Sequence, residues 1–302
     1  MAVKGAATGA MSKPAPLIDT SKFTLDDLIQ PSEEPKRTAI LNIGEQGVGK
    51  TTTLNTLWPW IEQGAKVLYR NRDMREGVIS KRMRDAIDII ELPYSPRNIG
   101  EATSKERFIA EKLYDSRGKY DCIIDDSLTP LSNNAWVYVC EEKFQRLLRE
   151  GKTGLLELDK FDDNYDGNAD KYAAQANEVM AAISSAKDNC KLYILIAHEK
   201  EPWTFQNGAP GKFTVNARGS VKKLLPSMFG EVYFCYDVPK VGWQWLTRPM
   251  GQRFARTEHP LKQFIPMDYS IAAERKWEEH YDEALISKDE PTETASAITK
   301  ED

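Results

Sequence analysis

The sequence predicts an α/β fold with a mostly parallel sheet, helices on both of its faces and an antiparallel hairpin at its C-terminal edge. From residue 37 onward, short apolar runs of strand length alternate with amphipathic stretches, as in sheets whose parallel strands are joined by crossover helices. The last two apolar runs flank the turn at residues 239–242, which is typical of a hairpin on the sheet edge. A glycine-rich segment also lies between the first apolar run and the first helical stretch.

Apolar periodicity and local breakers predict the individual elements. The predicted strands are residues 38–43, 66–71, 87–92, 120–125, 191–198, 231–238 and 242–248. The helix after the glycine-rich segment should end or kink near Leu57 and Trp58, because Pro59 interrupts it. A capping box at Thr103 opens a helix that continues to about Ser116. Further helices are predicted over residues 135–149, 169–188 and 268–286.

The length of 302 residues and the changes in composition along the chain predict one domain with extensions. Residues 1–36 form a flexible N-terminal extension, because Pro, Ser and charged residues show little periodicity there. Residues 37–267 form the α/β domain, with a long loop or insertion at 151–167, and residues 268–286 form a C-terminal helix. The tail at 287–302 has almost no apolar residues and should be disordered and mildly acidic.

The overall composition, with 41% hydrophobic and 29% charged residues, is ordinary for a soluble globular protein. Two further features lead us to expect this protein in the cytoplasm. No apolar run approaches the roughly 18–20 residues that cross a bilayer, and the N-terminus has no apolar core of a secretion signal. The cysteines form no C-x-x-C pair, so we expect free buried thiols and no zinc site. A net charge of −5 excludes a globally basic nucleic-acid coat but allows a local basic groove.

The glycine-rich segment at residues 44–51 has the pattern G-x-x-x-x-G-K-T of a phosphate-binding P-loop. Its backbone N–H groups and the following helix N-terminus form a cradle for phosphate oxygens. In such a loop Lys50 reaches the β- and γ-phosphates, and the Thr51 hydroxyl binds Mg²⁺. The candidate phosphate-binding residues are Gly44, Glu45, Gln46, Gly47, Val48, Gly49, Lys50, Thr51 and Thr52. The loop therefore predicts a nucleoside triphosphate with Mg²⁺.

A second phosphate-side motif follows the predicted strand at 120–125, which ends in Asp125 and Asp126. Acids at the carboxyl end of a parallel strand can hold Mg²⁺ beside the P-loop. Neighbouring side chains on a strand point to opposite faces, so only one of the two acids can be the metal partner. In an apolar-Asp-Ser frame that residue is Asp126. In an Asp-Asp frame it is Asp125, and Asp126 orients the attacking water.

The order of these motifs resembles the RecA-like P-loop ATPases, and among them the phage-encoded nucleotide-binding proteins of the RecA and single-strand-annealing type. The matching segments are residues 44–51, 120–131, 192–200 and 222–233, followed by the closing hairpin. The resemblance implies a RecA-like core over residues 37–267 that uses ATP and Mg²⁺ and works as a homo-oligomer. It also implies a role in phage DNA metabolism in the host cytoplasm, beside a phage or host replication or recombination protein.

The resemblance assigns roles to two residues outside the P-loop. His198 ends the strand after the acidic motif, where these ATPases keep a polar sensor of the γ-phosphate. Asp73 follows the strand after the P-loop helix, where they keep the carboxylate that activates water. The family pattern more often has Glu there, and Arg70 and Arg72 are unusual neighbours, so Asp126 and Glu45 remain alternatives for this role.

The segment after His198 is where RecA-like proteins contact single-stranded DNA. Here it interleaves aromatic residues, which stack on bases, with cations, which meet phosphates. The candidate nucleic-acid residues are Trp203, Phe205, Lys212, Phe213, Arg218, Lys222 and Lys223. Two other interpretations remain open: the aromatics pack into the core, or Arg218, Lys222 or Lys223 serves as a cationic finger across a subunit interface.

The predicted function is therefore an ATP-binding and ATP-hydrolysing protein of phage recombination, annealing or replication that binds single-stranded DNA. The alternative is a helicase-loader or packaging-type motor ATPase that acts mainly through protein partners. A small-molecule kinase fits less well, because the sequence shows no Arg-rich lid. A GTPase also fits less well, since the chain has no Asn-Lys-x-Asp string to recognise guanine.

Overall fold

The computed structural model describes residues 37–74, 76–92, 99–115, 117–152, 168–200 and 211–286. The predictions for residues 1–36, 153–167 and 287–302 concern residues outside these ranges. The strands of the described residues are β1 (Thr38–Gly44), β2 (Val67–Asn71), β3 (Asp88–Glu91), β4 (Cys122–Asp126), β5 (Leu192–Lys200), β6 (Thr214–Val215), β7 (Glu231–Val238), β8 (Gly242–Leu246) and β9 (Phe264–Pro266).

The helices flank this sheet and vary widely in length. They are α1 (Trp58–Glu62), α2 (Lys81–Arg84), α3 (Ile99–Asp115), α4 (Leu128–Arg149), α5 (Asn168–Lys187), α6 (Val221–Leu224), α7 (Tyr269–Ala273) and α8 (Glu283–Ile286). Short 3-10 helices cover Thr52–Leu57, Glu76–Val78, Leu225–Met228 and Trp277–His280. Among the helices of these described ranges, none is both long enough and apolar enough to span a membrane.

The strands form one sheet in the order β3-β2-β4-β5-β1-β7-β8-β9, with β6 paired to β5. β1 lies in the middle and is parallel to both β5 and β7. β4 is parallel to β5 and β2, whereas β8 is antiparallel to β7 and to β9. These pairings confirm the predicted α/β fold with a mostly parallel sheet and an antiparallel C-terminal hairpin.

Side-chain alternation along the buried strands produces a core on each face of the sheet. On β5, Tyr193 and Leu195 point toward α3, α4 and α5, whereas Ile194 and Ile196 point toward α1, α2 and α7. The P-loop leads into the second of these layers, through the 3-10 helix Thr52–Leu57. A side chain's position in the strand alternation therefore decides whether it can reach the P-loop.

Several predicted boundaries differ from the observed ones for identifiable reasons. α3 begins at Ile99, before the predicted capping box, and α4 begins at Leu128, well before residue 135. Pro130 lies in the first turn of α4, where its missing N–H costs no hydrogen bond. The single helix predicted for residues 268–286 is wrong. α7 ends at Ala273, and Arg275 then adopts a left-handed φ of 58°, which ends a helix.

Other sequence predictions agree with the structure. The change at Leu57 and Trp58 falls where Pro59 predicted it, because Pro59 occupies the first turn of the new helix α1. The four cysteines are buried and free, as expected. β6 and β9 were not predicted, since strands of two or three residues carry no usable periodicity.

A buried ionic network joins β2, β4 and α3 on the face opposite the P-loop. Arg70 and Arg72 both pair with Asp125, and the Arg72 Nη1 to Asp125 Oδ1 distance is 2.5 Å. Arg72 also donates to both carboxylate oxygens of Glu106, at 2.6 and 2.8 Å. The Tyr193 hydroxyl donates to Asp125 Oδ2 at 2.5 Å. Burial opposes ionisation of Asp125, but the two arginines hold its pKa below the ordinary value.

We predict that Asp125→Asn destabilises the protein by about 3–5 kcal/mol, because it leaves buried guanidinium charge without its main partner. The measurement is the free energy of unfolding in a denaturant titration at neutral pH. Glu62→Gln is the matched control, since Glu62 pairs with Arg82 and both side chains are more than half exposed. That pair should contribute about 0–1 kcal/mol. Equal losses for the two variants would contradict a structural role for Asp125.

Candidate functional site

The P-loop connects the end of β1 to the 3-10 helix Thr52–Leu57. Gly47 and Gly49 have φ values of 88° and 86°, a conformation that residues with a Cβ rarely adopt. A Cβ on Gly49 would also lie 2.5–2.8 Å from three ring atoms of Trp243. The helical turn is then secured by Thr53, whose hydroxyl donates to the Lys50 carbonyl at 2.9 Å. Glycine is therefore required at Gly49 both by backbone conformation and by space.

The Lys50 side chain is buried beneath this loop and is 5% exposed. Its Nζ donates to the carbonyl oxygens of Gly44 at 2.9 Å and Glu45 at 2.6 Å. These acceptors solvate the ammonium group within the protein and hold it at the loop. An ammonium group held in this way can exchange these carbonyl acceptors for the oxygen of a phosphate group that enters the same loop.

Asp126 meets the P-loop from the end of β4. The Thr51 hydroxyl donates to Asp126 Oδ2 at 2.7 Å, and the Tyr69 hydroxyl donates to the same oxygen at 2.9 Å. Burial raises the pKa of Asp126, and its hydrogen bonds with Thr51 and Tyr69 oppose part of that shift. The carboxylate and the threonine hydroxyl are oxygen donors of the kind that Mg²⁺ takes in proteins. Thr51 and Asp126 therefore fit a magnesium site.

Asp73 and His198 also meet on this side of the sheet. The His198 Nε2 lies 3.2 Å from Asp73 Oδ2, and Ser127 donates from its hydroxyl to Asp73 Oδ1 at 3.0 Å. The Asp73 N–H donates to the Asp126 carbonyl at 3.2 Å. The two carboxylates are thus neighbours, but Ser127 and His198 hold Asp73, while Thr51 and Tyr69 hold Asp126.

These groups line one cavity of about 170 Å³ at the carboxyl ends of β1, β4 and β5. Parallel α/β sheets bind their ligands at this edge. The lining residues are Gly47, Gly49, Lys50, Thr51, Thr52, Asp73, Val78, Asp126, Ile196, His198 and Trp243. The cavity brings together the P-loop, an acid on β4, a carboxylate after β2 and a histidine on β5.

Five residues predicted for the phosphate and metal site do not line the cavity, namely Gly44, Glu45, Gln46, Val48 and Asp125. Asp125 points to the other face of the sheet, where Arg70 and Arg72 occupy its carboxylate. Glu45 and Gln46 are exposed on the P-loop, outside the residues that line the cavity. Geometry therefore favours Asp126 over Asp125 as the acid beside Thr51.

The candidate nucleic-acid residues divide between described and undescribed parts of the chain. Trp203 and Phe205 lie outside the described residues. Phe213 is half-buried, and the Arg253 guanidinium lies 3.8 Å from its ring centroid. Arg253 also donates to Glu199 at 2.8 Å, which holds the cation over the ring. Phe213 therefore packs against the domain, as one of the open interpretations expected for the aromatics of this segment.

The cations of the same segment lie nearer the surface. Lys212, Arg218 and Lys223 are exposed, and Lys222 is half-buried on α6. The Arg218 guanidinium lies 5.5 Å from the ring centroid of Trp136. These four residues therefore give the described part of the segment a cationic surface.

A comparison of the sequence with models of protein families identifies the family of this chain. Residues 36–264 match the family model described as an AAA domain, which spans most of the chain. The chain belongs to the AAA domain family. AAA domains are generally ATPases that bind a nucleotide through a P-loop and usually use Mg²⁺. Comparison with curated proteins gave no match.

The matched range of this AAA domain lies close to the domain predicted at residues 37–267. Sequence reasoning missed five side chains that the fold brings to the site, namely Tyr69, Val78, Ser127, Ile196 and Trp243. Ser127 was within the acidic motif and could have been considered as a partner for an acid. Tyr69 and Trp243 lie in ordinary strand patterns, so no local signal distinguishes them from core residues.

We predict that Asp126→Asn leaves the unliganded protein at least as stable as the wild type at neutral pH. The folded protein raises the pKa of Asp126, so the protonated carboxyl group stabilises the fold at acid pH. That contribution to the free energy of unfolding is lost as pH rises through the folded-state pKa of Asp126. Asparagine removes the loss and still accepts hydrogen bonds from Thr51 and Tyr69. In contrast, Mg²⁺ affinity in the presence of nucleotide should fall about 10–100-fold.

Thermal unfolding from acid to neutral pH and a Mg²⁺ titration measure these two effects. The difference in melting temperature between variant and wild type should shrink toward acid pH. A variant much less stable than wild type at neutral pH, with unchanged Mg²⁺ affinity, would show that Asp126 is structural.

Proposed function

We propose that this protein is a RecA-like, Mg²⁺-dependent ATPase of phage DNA metabolism that works as a homo-oligomer. The observation that carries the ATPase assignment is the 2.7 Å contact between the Thr51 hydroxyl and Asp126, beside the buried Lys50. A P-loop threonine joined to a strand-end acid is the arrangement that holds a metal ion against a triphosphate. The Asp73 and His198 pair in the same cavity supports hydrolysis as well as binding.

The proposed chemistry is attack of a water molecule on the γ-phosphate. Lys50 exchanges the carbonyl oxygens of Gly44 and Glu45 for phosphate oxygens and stabilises their negative charge. Asp73 accepts a hydrogen bond from the attacking water and orients it, while Ser127 and His198 keep the carboxylate in place. Thr51 and Asp126 are the residues that would hold Mg²⁺, which would supply positive charge to the phosphate oxygens.

We further propose that single-stranded DNA binds to the cations that follow β5. The support is a backbone connection between this segment and the site. β6 pairs with the end of β5, and the Asn216 N–H donates to the His198 carbonyl at 2.8 Å. Thr129, near the start of α4, donates to the Asn216 carbonyl at 3.0 Å. DNA that moves this segment would therefore act on the strand carrying His198.

One specific observation favours the alternative hypothesis of a helicase-loader or packaging-type motor ATPase. The Arg253 guanidinium covers one face of the half-buried Phe213, which leaves less of this ring to stack on a base. A surface that offers cations with little of this aromatic ring also suits an acidic partner protein. The two functions differ in what stimulates hydrolysis, which is single-stranded DNA in the first case and a protein partner in the second.

We predict that Lys50→Ala lowers kcat for ATP about 100- to 1,000-fold, because the transition-state charge loses one of its stabilising groups. The measurement is steady-state phosphate release with Mg²⁺. Lys66→Ala is the control, since Lys66 is exposed and lies before β2, at the opposite end of the sheet.

Asp73→Asn should lower kcat while KM changes little, as expected for a group that acts on the water.

Unchanged turnover in Lys50→Ala, with melting temperatures equal to wild type, would remove the P-loop from the mechanism. An Asp73→Asn variant with normal kcat would transfer the water-orienting role to another group. Asp126 and Glu45 would then be the residues to substitute next.

We predict that the double variant Lys212→Ala, Lys223→Ala weakens single-stranded DNA binding and makes its salt dependence shallower. Each lost phosphate contact reduces the slope of log K against log salt by roughly 0.7 for a single strand. Binding is measured by fluorescence anisotropy of a labelled oligonucleotide over a salt series. Lys81→Ala is the matched control, because Lys81 is an exposed lysine on α2.

The same oligonucleotide should raise the ATPase rate of the wild type. Identical DNA binding by wild type and the double variant would refute the assigned surface. DNA that binds without changing the ATPase rate would favour the loader or motor function.

A further inference from the structure

Trp243 lies at the nucleotide cavity and has no role in the proposed hydrolysis. It is on β8, and its indole faces Gly49 of the P-loop. A Cβ built on Gly49 would lie at similar distances, 2.5–2.8 Å, from three ring atoms of the indole. The similarity of these three distances indicates that the face of the indole ring, and not its edge, covers Gly49. The side chain is nevertheless 39% exposed.

The size of the cavity indicates which part of a nucleotide it can hold. Its volume is about 170 Å³, well below the roughly 300–1,000 Å³ of pockets that enclose whole drug-sized ligands. The P-loop, Lys50, Thr51 and Asp126 occupy its walls, so phosphate groups and a metal ion account for this space. The base must then lie beyond the rim of the cavity.

Two exposed apolar side chains among the described residues lie on that rim, namely Trp243 and Val78, and each is 39% exposed. Val78 ends the short 3-10 helix Glu76–Val78 and offers only a small aliphatic surface. Trp243 offers a π-face, and its backbone is secured on both sides. It pairs with Asp237 of β7, and its carbonyl accepts the Met267 N–H at 3.0 Å.

We propose that Trp243 is the base-contacting residue of the site and stacks on the nucleobase of a bound nucleoside triphosphate. This inference rests on the proposed function, because it needs the triphosphate to occupy the P-loop. A ring held in place by β7 and the segment after β9 binds with little loss of conformational entropy. Stacking uses the face that every base shares, so Trp243 selects nucleotides over inorganic polyphosphate and not one base over another.

The test compares a ligand with a base to one without. Calorimetry measures the affinity of ATP and of inorganic tripolyphosphate, both with Mg²⁺, for wild type, Trp243→Ala, Trp243→Phe and Val78→Ala. Trp243→Ala should weaken ATP binding about 5- to 150-fold and leave tripolyphosphate binding unchanged. Trp243→Phe should restore most of the loss, because phenylalanine keeps a π-face. Val78→Ala tests the other rim residue and should weaken ATP binding less than Trp243→Ala does.

The contrary results are distinct from one another. Equal weakening of both ligands in Trp243→Ala would mean that the indole only supports the P-loop at Gly49. A larger effect of Val78→Ala on ATP would place the base on the other rim. Equal affinity of wild type for ATP and tripolyphosphate would refute the stacking role while leaving the P-loop assignment intact. Failure of wild type to bind either ligand would refute the proposed function itself.

Discussion

The buried pairing of Asp125 with Arg70 and Arg72 is the interaction on which the arrangement of this site depends. Asp125 is fully buried, and two guanidinium groups and a tyrosine hydroxyl satisfy its carboxylate. Because adjacent side chains on β4 point to opposite faces, this pairing directs Asp126 to the P-loop face. One strand end thus supplies a structural carboxylate on one face and a phosphate-side carboxylate on the other.

The parallel order of β1, β5 and β4 completes the site from separate parts of the sequence. Gly44 pairs with His198, and Asp126 pairs with Ile196, so the P-loop, the histidine and the acid reach the same edge of the sheet. The low exposure of Lys50 and Asp126 then strengthens their electrostatic interactions with any ligand that displaces water. This combination of proximity and burial is what a phosphate-transferring site requires.

The segment after β5 links this edge to the cationic surface. β6 pairs antiparallel with β5, the strand that carries His198, and the loop after β6 contacts the start of α4, which follows directly from Asp126 and Ser127. His198 and Asp126 are therefore each one short connection away from the surface formed by Lys212, Arg218 and α6. If the proposed ligand binds that surface, it and a nucleotide in the cavity would act on the same backbone, and we propose that this shared backbone couples the two sites.

The sequence by itself determined the α/β class, the P-loop and most strands, because these depend on local spacing and on alternation that nearby residues impose. Its motifs also identified Lys50, Thr51 and Asp126 as candidates, and its resemblance to RecA-like ATPases added Asp73 and His198. It left Asp125 and Asp126 as alternatives and missed Trp243, Tyr69 and the helix break at Arg275. Tertiary structure decided these points. The buried charge of Asp125 pairs with arginines of a neighbouring part of the sheet, and Trp243 reaches the rim of the cavity from a strand that is distant in sequence from the P-loop.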